Sequence, residues 1–192
     1  GAATPEGIAL ARAAAEKAGR ENMDVFVFAA LPETGSPGRA LVQALFAALA
    51  AGASGFCFPG TAMFDGALHD AIAYMAGVAR CFPLGRPWDR IAGSNAFHAP
   101  LFRDAGRWVA VAWAGAPEEA TVTIGAVSAL TRFDAFGNEL PMPQVSDGKM
   151  KLAAGPDPVY LHGTGGGLAG AAATRIATAE ARAFLGNTAF RA

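Results

Sequence analysis

FHAPLFRDAGRWVAVAW, residues 97–113, is the stretch on which the fold reading turns. Two apolar runs flank Asp104-Ala105-Gly106, a turn signal, so residues 95–103 and 107–114 read as paired strands. The same grammar continues downstream. Residues 121–124 alternate, residues 129–134 carry apolar side chains between turn signals, and Gly137-Asn138 is a turn pair. Residues 149–153 and 158–162 complete five or six short strands separated by Gly, Pro and Asp, which predicts an antiparallel sandwich or small barrel. Glu118-Glu119 is expected in a solvated turn between strands. Trp108 and Trp113 stand five positions apart, so on one strand they point to opposite faces and at least one is core.

Upstream the pattern is different. Thr4-Pro5-Glu6 reads as N-cap, N1 and N2 of a helix reaching about Gly19. VFVFAAL at 25–31 is a short continuous apolar run, the pattern of a strand covered on both faces. A second helix is expected over 39–51, ended by Gly52 at the C′ position, then a strand over 55–58 and a helix over 66–81. Helix, strand, helix, strand, helix is a parallel α/β layout, which places its chemistry in the loops after the strands. Phe26, Phe28, Phe56 and Phe58 read as packing within those strands. The fold class is therefore α/β plus β, with three segments: 1–87, a β domain at 88–163, and 164–192, a Gly-rich linker and Ala-rich helical tail.

Composition excludes several classes. With 53% hydrophobic residues and a net charge of −1, the chain has the apolar content for a core and is not intrinsically disordered. Near-neutral charge removes the basic footprint of a nucleic-acid binder, so no nucleic-acid partner is expected. The longest apolar candidate, 40–53, is interrupted by Gln43 and Gly52 and falls short of the roughly 18 residues of a membrane span. The first residues lack the basic and apolar regions of a signal peptide. Cys57 and Cys81 are too few for a disulfide framework and read as buried thiols. His98 and His162 have no Cys or acidic partner at ligand spacing, so no metal and no cofactor are expected.

The order of elements resembles the last two βα units and appended β-sandwich of a retaining, clan A-like (β/α)8-barrel glycoside hydrolase. The matching features are a strand running into Pro32-Glu33-Thr34-Gly35, an Ala-rich helix ending Ala50-Ala51-Gly52-Ala53, and then a strand and a helix. FHAPLFRDAGRWVAVAW, the Asp134-x-x-Gly137 turn and the closing Pro158-Val159-Tyr160-Leu161 follow. The resemblance covers roughly residues 4–163. It implies a partial barrel segment at 1–87 whose partner is the remaining N-terminal barrel, and a polysaccharide or glycoside substrate. It also implies a location outside the cell or in its envelope.

By the same resemblance Glu33 matches the nucleophile, at the end of the seventh barrel strand. A retaining enzyme needs one carboxylate to attack the anomeric carbon and a second about 5–5.5 Å away as acid and then base. The family's Asn-Glu acid/base pair has no counterpart in this context, so that residue lies outside the chain, and the chain alone is not expected to be active. Thr34 is a candidate to bond sugar hydroxyls, Phe64 is the nearest aromatic that could stack on a sugar, and Asp65 follows the second strand. Thr34 and Asp65 also have a plain structural reading, as N-caps of the helices that follow them. Ser36 serves equally as an N-cap, and His69 as a surface histidine.

Gly165-x-Gly167-x-x-Gly170 matches a dinucleotide-binding pattern, but no second strand with an acidic residue about 20 positions on follows it. A non-catalytic accessory or structural module, binding carbohydrate or protein, is the alternative function. An exposed apolar edge on the α/β half would mark missing neighbours.

Overall fold

The structure is a computed structural model. It describes residues 5–19, 24, 26–28, 35–57, 67–82, 86–91, 97–104, 106–123, 129–164 and 173–174. In chain order the elements are α1 (Pro5–Lys17), β1 (Phe26–Phe28), α2 (Pro37–Ala50), β2 (Gly55–Cys57), α3 (Ala67–Cys81) and β3 (Arg86–Ile91). Then come β4 (Phe97–His98), β5 (Pro100–Asp104), β6 (Arg107–Ala114), β7 (Glu118–Thr123), β8 (Ala129–Phe133) and β9 (Glu139–Leu140). Last are β10 (Val145–Ser146), β11 (Lys149–Ala154), β12 (Val159–Thr164) and β13 (Ala173–Thr174). The described residues up to Ile72 belong to one compact unit and those from Ala73 to another, the division falling within α3.

In the first unit β1 and β2 pair in parallel, with Val27 opposite Phe56, and α2 makes the crossover between them. Local chemistry sets both ends of α2. Ser36 is its N-cap in extended backbone, its Oγ accepting from the Arg39 N–H at 3.2 Å, and Pro37 supplies a φ already suited to a helix start. At the other end Gly52 takes φ +87°, which an L side chain resists. The Gly52 N–H then reaches the Leu49 carbonyl at 2.9 Å and the Ala53 N–H the Ala48 carbonyl at 3.0 Å, a Schellman closure at the expected position. Ile8, Val27, Ala48 and Ala53 form a small core with Phe56 packed against it. Phe26 departs from the reading of a strand covered on both faces. It is 56% exposed, because alternate residues of a strand face opposite ways and only the Val27 face is covered.

The second unit is antiparallel. One sheet runs β13-β3-β5-β6-β12-β8-β9, with β4 pairing on β6, and another runs β10-β11-β7. Strand β11 shows one-sided burial: Met150, Leu152 and Ala154 point in, Lys149, Lys151 and Ala153 out. Its inward face shares a core with Ala120 and Val122 of β7 and with Leu101, Trp108, Ala110, Ala112 and Leu161 of the larger sheet. That is sandwich packing, as expected. Strand β6 is buried along all but its first residue, so both of its faces are covered and both Trp108 and Trp113 are core.

The face carrying Phe102, paired with Val109, is covered in part by the C-terminal half of α3 and Phe82, whose ring meets that of Phe102 edge-on at 4.8 Å. Gly77 lets that helix approach the Asp134–Asn138 turn: a Cβ there would stand 2.0 Å from the Ala135 carbonyl oxygen. Gly163, opposite Trp108 in the register, is needed for the same steric reason, since a Cβ would meet the indole Cζ2 at 2.0 Å.

Two expectations need correction. Glu118 and Glu119 open β7, paired with Ala154 and Ala153, because the ladder with β11 satisfies their backbone. Within the expected Gly-rich linker and helical tail, Thr164 ends β12 and Ala173-Thr174 form β13, paired with Ile91 and Arg90 of β3. Strand pairing overrides the helix preference of alanine there. The Gly165, Gly167 and Gly170 pattern lies outside the described residues.

Candidate functional site

The candidates Glu33, Thr34, Phe64 and Asp65 lie outside the described residues. What the structure does describe is the frame on either side of them. Strands β1 and β2 run the same way in register, so their C-terminal ends share one edge. Glu33 follows β1 by five residues and Asp65 follows β2 by eight. In parallel α/β folds that edge carries the reacting groups, because the strands hold the loop roots rigidly.

Just beyond Glu33 the chain is tied down by a carboxylate that sequence reasoning missed. Asp70, in the first turn of α3, accepts from Ser36 Oγ at 2.7 Å and from the Gly38 N–H at 2.8 Å. One Asp70 oxygen therefore serves both the N-cap side chain of α2 and one of the orphan N–H groups of its first turn, where the helix dipole favours a negative charge. Its partners lie 32 and 34 residues away, and no local motif announces such a pairing. Ser36 thus acts as the expected N-cap, and His69 is exposed.

In the second unit Asp134 and Asp157 have structural work. Asp134 Oδ1 accepts from the Phe136 and Asn138 N–H groups at 2.9 Å, and Oδ2 from Asn138 Nδ2 at 2.9 Å. Burial works against the ionised Asp134, but the hydrogen bonds from the Asn138 side chain and from the backbone of Asn138, Phe136 and Gly137 outweigh it. They hold its carboxyl below the usual range. The Asp134-x-x-Gly137 signature is thus a self-capped turn. Tyr74 donates to Asp157, and its ring meets Phe136 edge-on at 5.0 Å.

Both cysteines are free thiols. Burial pushes the Cys81 thiol up to about 11, with Arg80 lowering it and Asp134 raising it, so it is protonated at neutral pH and a poor nucleophile. Burial likewise raises the Tyr160 hydroxyl, helped by Cys81, Asp134 and Tyr74. His98 is buried and stacks on Trp113 with ring centroids 5.3 Å apart. An open groove of about 470 Å³ lies along Glu118, Glu119, Arg132, Ala153 and Val159, with Arg132 Nη2 donating to the Ala153 carbonyl at 3.0 Å. Among the described residues no group of three His, Cys, Asp or Glu could hold a metal, and no helix is long and apolar enough to cross a membrane.

This arrangement, a parallel βαβ unit and then antiparallel sheets in chain order, aligns with parts of solved glycoside hydrolases, and the resemblance to that class read from the sequence is borne out at the level of fold. The family 39 glycoside hydrolase from the gut symbiont Bacteroides cellulosilyticus WH2 aligns with a TM-score of 0.58 at 16% identity, over 80% of this chain and 37% of its own. The family 30 subfamily 8 xylanase from Clostridium acetobutylicum gives 0.57 at 10% identity, over 77% and 44%. A family 30 endoxylanase from Clostridium papyrosolvens C71 gives 0.58 at 8% identity, over 84% and 46%. The chain thus spans less than half the length of each of these proteins. No protein-family model matches the chain, and no curated protein matches it.

Proposed function

We propose that this chain is the C-terminal part of a retaining glycoside hydrolase that cleaves a polysaccharide or glycoside by double displacement. Residues 1–87 are its closing barrel segment and residues 88–163 its β-sandwich. Glu33 is the nucleophile. Thr34, Phe64 and Asp65 are its substrate-binding residues, and the acid/base carboxylate belongs to the N-terminal part of the barrel.

The observation that carries this reading is the order of the fold. A parallel βαβ unit, with the candidate carboxylate five residues past its first strand in sequence, precedes antiparallel sheets, and most of the chain aligns with parts of the family 30 and family 39 structures. The exposed Phe26 agrees with it, since a barrel strand has a covered neighbour on every side and β1 has β2 alone among the described strands.

In the longer protein, Glu33→Gln should lower glycoside cleavage on the order of 10³-fold or more, with the β unit still folded by circular dichroism. Glycosidase activity retained by Glu33→Gln overturns the assignment of the nucleophile.

A further inference from the structure

The segment that carries Glu33 is held at two described ends. Behind it, Phe28 closes the parallel ladder opposite Cys57 of β2. Ahead of it, Gly35 turns the chain at φ +89° and Ser36 caps α2. Glu33 stands three residues before Ser36 in sequence. Three residues of fully extended chain span at most about 11 Å, so whatever fixes Ser36 limits where the Glu33 carboxylate can stand.

Ser36 is fixed from another helix. Asp70 Oδ2, in the first turn of α3, accepts from Ser36 Oγ at 2.7 Å and from the Gly38 N–H at 2.8 Å. All three residues belong to the first unit. Ser36 Oγ in turn accepts from the Arg39 N–H at 3.2 Å, since a hydroxyl donates and accepts at once. The N-cap of α2 is therefore complete without Asp70. What Asp70 adds is a cross-link between the helix that follows β1 and the helix that follows β2. Its bonds are partly buried and end on a carboxylate, which makes them stronger than neutral ones and shields them from water.

We propose that Asp70 is a positioning residue for Glu33: through Ser36 and Gly38 it fixes the far end of the nucleophile's segment to the start of α3. The inference rests on the reading of Glu33 as the nucleophile. Asp70 touches no reacting atom; it sets the aim of the attacking carboxylate, and a displacement of about 1 Å there costs on the order of 10²-fold in rate.

The test uses the longer protein, with a panel of 4-nitrophenyl glycosides and polysaccharides as probes. Asp70→Ala removes the acceptor, and kcat per folded molecule should fall about 10–10²-fold while KM stays within about threefold. Asp70→Asn removes the charge but keeps one oxygen for the same two donors, so it should return kcat to within about fivefold of wild type. Asp134→Ala, which takes a carboxylate from a turn of the β unit, should leave kcat unchanged. A role in helix stability alone would lower the unfolding midpoint of Asp70→Ala and spare kcat, and that result overturns the proposal. So does an Asp70→Asn as slow as Asp70→Ala, or a kcat loss of the same size in Asp134→Ala. If Asp70→Ala does not fold, Ser36→Ala decides, because it cuts the same link; an unchanged kcat there overturns the proposal. Glu33→Gln separates this inference from the reading beneath it. With Glu33→Gln inactive and Asp70→Ala fully active, only the positioning role falls. With Glu33→Gln as active as wild type, or no probe cleaved by wild type, the nucleophile reading falls and the positioning role with it.

Discussion

Strands β1 and β6 come from similar sequence, VFVFAAL around the first and RWVAVAWA in the second, and they end in different surroundings. β6 has β5 on one side and β12 on the other, with β4 at its far end, and seven of its eight residues are buried. Among the described strands β1 pairs with β2 alone, and it covers Val27 and leaves Phe26 half in solvent. An apolar run states what a strand needs for its two faces, and it says nothing about which segment supplies the cover. The β unit supplies its own. The α/β unit supplies it for one face, and that asymmetry is what the barrel proposal accounts for.

The contrast can be broken most severely in the β core. Leu161→Ala removes a fully buried side chain from the shared sandwich core and should cost about 2–5 kcal/mol, measured by urea unfolding. Gly163→Ala adds one carbon against the Trp108 indole and should cost about 1–3 kcal/mol, with a shifted near-ultraviolet signal from the displaced ring.

Asp134→Ala should cost about 1–2 kcal/mol, since three hydrogen bonds are lost at a partly exposed turn. Its folded carboxyl has the depressed pKa, so its contribution is present above the unfolded value near 3.8 and is lost as pH falls through the folded one. The difference between wild type and Asp134→Ala should therefore shrink on acidification below about pH 4.

Phe26→Ser should change the stability of this chain by less than about 0.5 kcal/mol, as for an ordinary surface position. In the longer protein that the barrel proposal requires, the same change should cost about 3 kcal/mol or more, the scale of a core Phe truncation. An equal, small effect in both would mean that β1 has no further neighbour.

Much of the fold was legible where local chemistry decides it. Pro5, Gly52 and the Asp104–Gly106 turn mark element ends through backbone preferences that need no distant partner. Strand β3 was missed because RPWDRI carries Pro87 and three charged residues, and its ladder with β5 shifts register between Pro87 and Asp89. Strand β13 was read as helix because Ala favours helix locally, while its pairing partner, Ile91, sits 82 positions earlier.

Of the candidate site, the strand before Glu33 was readable, and Ser36 was one of two cap candidates with Thr34, although the helix begins at Pro37 and not near Arg39 as expected. Asp70 was not readable. Its bonds to Ser36 and Gly38 exist only once two helix starts are brought together, and one residue of sequence context cannot contain that.

The placement of Trp108 and Trp113 on opposite faces of β6 also gives the β unit two internal lamps. Trp108 faces the sandwich core against Gly163, whereas Trp113 lies on the other face against the imidazole of His98. Both are screened from water, so their fluorescence should be blue-shifted in the folded chain and move to the red on unfolding. With Trp88 replaced as well, changing either to Phe leaves a reporter for one side of a single strand, so loosening of the sheet-to-sheet layer and of the opposite face can be followed separately in two variants.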